Sequence, residues 1–320
     1  MIFFMAVIAY TYSYKISNYP FRNALALQLH MKISGFTIVR NAIKHDYPAV
    51  EAITSILPVV DEMIVAVGKS EDGTEELIRS IPSDKIKIIS TEWDLSQLPG
   101  GKVLAIETNK AFRQISPDAD WGFYIQCDEV VHEMYHSSIR SACEKYLKDK
   151  RVMGLVFQYT HFYGTYNYVG DSRRWYNKEI RIIRNDDRIY SYKDAQGFRM
   201  NNDEKLPCKL IDAAVYHYGW VKNPTMMEKK LTELSVNWMG KSMKERMDKL
   251  KGNFNYQEYD SLKLFHGTHP QVMQKRIAEK NWELQLDLSR KQFSFKKRIM
   301  YWIEKATGKR LFSFRNYRII

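Results

Sequence analysis
Asp128 and Glu129 stand side by side in the stretch WGFYIQCDEVVHE, at the end of a run whose first residues read as a buried strand. Two carboxylates at a strand end serve as an N-cap or a solvated edge in many proteins. They also suit a divalent cation such as Mn²⁺ or Mg²⁺, which takes carboxylate oxygens and a neutral imidazole while leaving positions open for substrate phosphates. An imidazole is on hand in His217, which ends a second strand-like run, AVYHYGWV.

The segments around these residues explain how they could be positioned. From Met31 onward, strand-like and helix-like patterns alternate: KISGFTIVRNA, then YPAVEAITSILPVV, DEMIVAVG, SEDGTEELIRSI, DKIKIIST, GGKVLAIETNKAFRQI, WGFYIQC and YHSSIRSACEKYLKD. Strand and helix alternating four times predict a mostly parallel sheet covered on both faces. In such sheets ligands bind beyond the carboxyl ends of the strands. That rule puts VRN, GKSEDGT and QCDE along one rim. Further on, KEIRIIRNDDRIYSY predicts a hairpin around NDD, and CKLIDAAVYHYGWV a strand. TMMEKKLTELSVNWMGK and PQVMQKRIAEKNWELQL predict helices.

FTIVRNA, DEMIVAVGKSEDGTEELI, GGKVLAIETNKAF and WGFYIQCDEV, in that order, resemble the nucleotide-sugar-binding half of a family 2 glycosyltransferase, over about residues 31–218. The QCDE form is similar to a bacterial branch of that family carrying QADE, a variant of its DXD motif. Two positions depart from the wider pattern: Val67, where an Asp usually contacts the base, and Gln126, where the first acid of the motif usually lies. The resemblance implies an α/β, GT-A (Rossmann-like) fold, a mostly parallel sheet flanked by helices with a helical, basic C-terminal extension. It implies that Val39, Arg40 and Asn41 hold the nucleobase and that Ser70, Asp72, Gly73 and Thr74 flank base and ribose. Lys102, Asn109 and Gln126 would lie near the nucleotide. Asp128 would ligate the metal, with Glu129 beside it and His217 as a further ligand. Inversion is expected from the family alone.

Glycosyl transfer also needs a base for the acceptor hydroxyl. Asp194, after the expected hairpin and before a Gln-Gly turn, is the candidate, and a turn-forming Asp is the other reading. Glu179, Asp203 and Glu204 are rivals. Sugar faces stack on aromatics, so THFYGTYNYVG and RRWYNKEIRI offer His161, Tyr163 and Trp175 for acceptor contact, with Arg173 and Arg174 facing diphosphate or acceptor charge. An aromatic core strand is the alternative.

The chain has 320 residues and a formal net charge of +12, which favours phosphorylated small molecules, nucleic acid or an anionic membrane. No helix-turn-helix, RNA-recognition or zinc-finger signal is present, so nucleic acid is not expected. Three scattered cysteines with no CxxC suggest no disulfide framework and fit a reducing cytoplasm. The apolar start MIFFMAVIAY is about half a membrane span; either Met31 is expected to be the natural start or residues 1–30 a poorly ordered extension, with a short membrane-dipping segment the competing reading. Residues 31–222 form the expected glycosyltransferase domain, with 31–135 the nucleotide-sugar half and 136–222 the acceptor half. Residues 223–320 form a helical C-terminal region. Its last thirty residues hold nine Lys or Arg against one acid, Glu304, with seven aromatics interleaved. Ile299, Met300, Trp302 and Ile303 give an apolar side between Lys296 and Lys309, suited to the inner face of a membrane; a helix docked on the domain with a solvated basic face is the other reading. The expected partners are a nucleotide-diphosphate sugar and a glycan or lipid-linked acceptor. A non-catalytic nucleotide-sugar-binding module of the same fold is the alternative.

Overall fold
The structure is a computed structural model and describes residues 31–97, 99–238 and 254–320. The expectations for residues 1–30 lie outside the described residues. The chain enters the fold through β1 (Ile33–Val39), α1 (Ala49–Ile56), β2 (Glu62–Gly68), α2 (Thr74–Arg79), β3 (Ile86–Thr91), α3 (Lys102–Phe112) and β4 (Trp121–Tyr124). These four strands run parallel in the order β3-β2-β1-β4.

Every residue of β1, β2 and β4 is buried, which is why their sequences are continuously apolar rather than alternating. Successive side chains serve opposite faces. Met63, Val65 and Val67 pack with Phe123 in the layer that contains Ile53 and Ile56 of α1. Ile64 and Ala66 pack with Phe36, Tyr124 and Phe112 of α3 on the other face. In α1 the buried Ala49, Ala52, Ile53 and Ile56 follow i, i+3, i+4, i+7, one stripe of a helix laid on the sheet.

The second half continues the same sheet. It comprises β5 (Glu129–Val131), α4 (His136–Tyr146), β6 (Gly154–Tyr163), β7 (Thr165–Gly170), β8 (Lys178–Arg184), β9 (Ile189–Tyr192), β10 (Gly197–Met200) and β11 (Glu204–Trp220). Beyond β4 the order is β8-β6-β11-β10-β9, with β8 antiparallel to both β4 and β6. The fold is therefore α/β, a Rossmann-like parallel half passing into a mixed sheet, flanked by helices.

Two expectations for this half are corrected. The hairpin is not at NDD: β8 pairs with β4 and β6, while β9 turns back on β10 around residues 193–196, with Tyr192 opposite Gly197. The helix expected from PQVMQKRIAEKNWELQL is one short α6 (Gln274–Ala278) after a 3₁₀ turn, followed by extended chain. Its apolar Leu284 and Leu286 join a cluster with Tyr163 and Tyr256 instead of forming a helical face.

The C-terminal region starts with α5 (Pro224–Trp238) and contains α7 (Phe295–Thr307), but it also adds strands. β12 (Leu262–Leu264) pairs with β7, and β13 (Tyr317–Ile319) pairs with β11. Met31–Ile320 form one compact unit, so residues 223–320 are built into the domain of residues 31–222. Among the described residues no helix is long and apolar enough to cross a membrane.

Candidate active site
The rim expected from the strand ends is present. Its loops are knitted together by side chain to backbone bonds. The Asn41 N–H donates to Ser70 Oγ at 3.0 Å, Ala42 N–H to Thr74 Oγ1 at 2.8 Å and Lys44 N–H to Asp72 Oδ2 at 2.6 Å. Asn41 itself sits at φ 51°, a left-handed conformation that Asn tolerates better than most residues. Ser70, Asp72, Gly73 and Thr74 thus brace the VRN loop and do not line the cleft behind it. That cleft, of about 590 Å³, is lined by Arg40, Asn41, Gln126 and Asp128 among the expected residues, and by Asp194 at its mouth.

Three other expected nucleotide contacts fall elsewhere. Val39 is buried in β1, and Lys102 is exposed at the start of α3. Asn109 pins Ser191 of β9, accepting from its N–H at 2.7 Å and donating to its carbonyl. Val67 is a core residue of β2. Part of the cleft is lined by residues with no motif. Trp93 covers Gly68, where any Cβ would meet its ring at 2.3 Å. The Arg40 guanidinium lies 5.7 Å from the centre of the Trp93 ring, whose buried Nε1 has no partner among the described residues. An aromatic alone in the polar stretch TEWDLSQ was the available signal.

The acidic pair is split by the register of β5. Glu129 opposes His217 on β11, and the Tyr218 N–H donates to the Asp128 carbonyl at 2.8 Å. This brings Asp128 Oδ2 to 3.5 Å from His217 Nε2. Glu129 is corrected as a metal ligand. It is fully buried, Arg181 Nε donates to it at 2.7 Å, and Arg181 Nη2 and the Tyr159 hydroxyl donate to its other oxygen. Among the described residues no group of three or more His, Cys, Asp or Glu comes together as a metal site. Two protein donors remain.

The histidine chain says what lies between them. His161 Nε2 is 2.9 Å from the Tyr176 carbonyl, which can only accept, so that nitrogen carries the hydrogen. Burial, and then the nearby His217, hold the His161 pKa well below the usual range, so the ring is neutral and its Nδ1 is bare. His161 Nδ1 lies 3.3 Å from His217 Nδ1, which must therefore be the donor. His217 Nε2 is then left facing the Asp128 carboxylate. An imidazole nitrogen and a carboxylate oxygen so placed can share a proton or hold a cation between them. Gly219 leaves the room, since a Cβ there would lie 2.4 Å from Asp128 Oδ2 and 2.7 Å from His217 Nε2. One carboxylate and one imidazole fit Mn²⁺ or Mg²⁺ completed by phosphate and water.

The local charge is balanced by lysines that no motif announced. Lys230 of α5 lines the cleft and donates to the Gly219 carbonyl at 3.0 Å. Lys222 is buried, and burial pulls its pKa down to about 7. Burial would raise the Asp128 carboxyl, but His217, Lys230 and Lys222 outweigh it and hold it well below the carboxylate range.

Asp194 is carried at the tip of the β9–β10 turn, between Lys193 and Ala195 at φ 54° and 59°. The turn is anchored to the acidic motif: Gln126 Nε2 donates to the Ala195 carbonyl at 3.3 Å, and Arg181 to the Gln196 carbonyl at 3.1 Å. Gln126 thus needs to be a donor, which an acid could not be. The rival bases are remote from the cleft. Glu179 is buried against Asn316, Asp203 bonds Tyr190, and Glu204 is exposed at the start of β11.

A second cavity of about 600 Å³ lies on the other side of Tyr176, lined by His161, Trp175 and residues of α7. Tyr163 is corrected as an acceptor contact, because it is core, edge-on to Tyr256 and Trp175. Arg173 is held by Glu304 at 2.9 Å, and Arg174 reaches the Glu258 carbonyl.

No protein-family model matches the chain, and no curated protein does. Among solved structures, S. aureus TarS 1–349 aligns at 13% identity over 65% of this chain and 65% of that chain, with a TM-score of 0.36. The same protein in complex with UDP aligns at 14% identity over 70% of each chain, TM-score 0.37. Glucosyl-3-phosphoglycerate synthase from Mycobacterium tuberculosis, in complex with Mn²⁺, UDP and phosphoglyceric acid, aligns at 23% identity over 42% of this chain and 45% of that one, TM-score 0.28. Likeness of this degree assigns no activity, and the case for one rests on the site.

Proposed function
We propose that the protein is a metal-dependent glycosyltransferase of GT-A type, moving a sugar with inversion from a nucleotide-diphosphate donor to a glycan or lipid-linked acceptor in cell-surface polysaccharide synthesis. The observation that carries this reading is Asp128, which lines a nucleotide-sized cleft, with His217 Nε2 3.5 Å from its Oδ2 across the space Gly219 leaves. Held there, Mn²⁺ or Mg²⁺ supplies Lewis-acid stabilisation of the departing diphosphate. The chain's own residues supply the rest. Arg40 and Trp93 flank the base, and Lys230 adds positive charge on the diphosphate side of Asp128. Asp194 takes the proton of the acceptor hydroxyl as its oxygen bonds the anomeric carbon and the electron pair of the breaking bond leaves with the diphosphate. His161 bonds His217 and, with Trp175, lines the second cavity, which we assign as the acceptor side.

A thermal-shift panel of nucleotide sugars, with and without Mn²⁺, tests the reading. At least one nucleotide is expected to raise the melting temperature only with Mn²⁺, and Asp128→Asn to abolish that increment. A panel in which no nucleotide stabilises the protein in either condition sinks it. Metal-dependent hydrolysis or transfer then separates an enzyme from a binding module.

A further inference from the structure
The outer surface of α7 and the loop after it has no role in either cavity. Phe295, Ile299 and Trp302 stand at i, i+4 and i+7, within an arc of about 60° on one helix face. They are 80%, 43% and 63% exposed. The other side of α7 is the docked one: the Tyr301 hydroxyl donates to Asp171 at 2.7 Å, and Glu304 accepts from Arg173. The loop adds Phe312 and Phe314, 90% and 77% exposed. Arg173 ties loop to helix, since it also donates to the Leu311 carbonyl. Phe312 is held outward at φ 54°, a conformation bulky residues avoid.

Around these apolar groups, Lys296, Lys297, Arg298, Lys309, Arg315 and Arg318 are exposed and have no acidic partner among the described residues. We propose that this surface docks the protein on an anionic lipid bilayer, aromatic side chains entering the interface and the cations meeting lipid phosphates. The apolar side expected from the sequence was Ile299, Met300, Trp302 and Ile303. The structure replaces Met300 and Ile303, which are half-buried, with Phe295 and the two loop phenylalanines. A second copy would oppose these six cations to their own likeness, and like charges would repel. The inner side of α7 and the loop after it contribute Tyr301, Lys305 and Arg310 to the second cavity.

Flotation of the full chain with vesicles of phosphatidylcholine, alone or mixed with phosphatidylglycerol, tests the proposal without any nucleotide sugar, so its outcome stands apart from the transferase reading. Recovery with the anionic vesicles is expected to exceed that with neutral ones by about tenfold or more and to fall with added salt. Trp302→Ser and the double change Phe312→Ser/Phe314→Ser should each cut it about tenfold, and Lys296→Glu/Lys297→Glu/Arg298→Glu should remove the preference for anionic lipid. All three variants should keep the wild-type melting temperature, since the side chains are exposed. A wild-type chain that floats with neither vesicle overturns the proposal. So does equal recovery on both, or a dimer in light scattering that Phe312→Ser/Phe314→Ser dissociates while flotation is unchanged.

Discussion
At position 219 a hydrogen atom is the only side chain that fits beside Asp128 and His217. The φ of Gly219 is not left-handed, so the constraint is space and not backbone freedom. The atoms a Cβ would strike are the tips of two side chains, which can swing aside at little cost to the fold. Gly219→Ala should therefore leave the metal-free melting temperature within about 2 °C of wild type, a shift of under 1 kcal/mol for a domain of this size. The Mn²⁺-dependent increment with nucleotide should disappear. An unchanged increment would mean that the cation, if bound, does not sit between these two donors. Single residues like this mark the limit of what could be read beforehand. Asp128 and His217 could be singled out as candidates because metal chemistry restricts the residue types, and the structure brings them together. Gly219 two residues after His217, Trp93 in its polar loop and Lys230 on a helix carry no pattern, and only the register of β5 on β11 and the docking of α5 bring them to the site.

The elements that aim the site are coupled through one buried ion pair. Glu129 begins β5 and Arg181 lies in the middle of β8. Arg181 also holds the Gln196 carbonyl, while Gln126 holds that of Ala195. The Asp128 carboxylate and the Asp194 turn are therefore positioned by the same circuit. Removing the charge of one member leaves the other buried and unpaired, which costs about 3–5 kcal/mol. Glu129→Gln should lower the melting temperature by about 10 °C and quicken amide exchange in residues 193–196 beyond that of the parallel strands. A fall confined to global stability, with the turn still protected, would show that the pair does not hold the Asp194 turn. The parallel half of this scaffold was legible because its strands are short continuous apolar runs separated by amphipathic helices. The second half was not: β8 finds its partners in β4 and β6, and β9 its partner in the next turn, so periodicity near NDD described two unrelated strands. Between 279 and 288 the apolar residues are spaced for packing into a cluster of tyrosines.

Taken as one body, residues 254–320 act as a belt around the sheet and not as an appended tail. Arg276 reaches back to Asp46 and Glu51 near α1, Trp282 donates to the Gly164 carbonyl, and His269 contacts the Tyr218 hydroxyl. The basic last thirty residues look detachable by composition, yet they end in β13, which pairs with Leu206–Cys208 of β11, and Tyr317 is buried in the core layer of Phe36 and Phe198. Asn316 supplies a donor to Glu179, whose carboxyl burial pushes above its usual pKa, and acceptors to the buried Arg199. Truncation after Arg290 would therefore open an edge of β11, strand two buried charged side chains without these partners and uncover apolar core. Each such loss is worth about 1–3 kcal/mol, so the truncated chain should melt roughly 10 °C lower or be recovered insoluble, measured by thermal unfolding beside the full chain. A truncated protein with wild-type melting would make this segment a tail after all. With the expected loss, deletion cannot isolate the membrane surface, and the substitutions on the outer face of α7 and its loop become the discriminating ones, because they remove the lipid-facing groups while β13, Asn316 and Tyr317 stay in place.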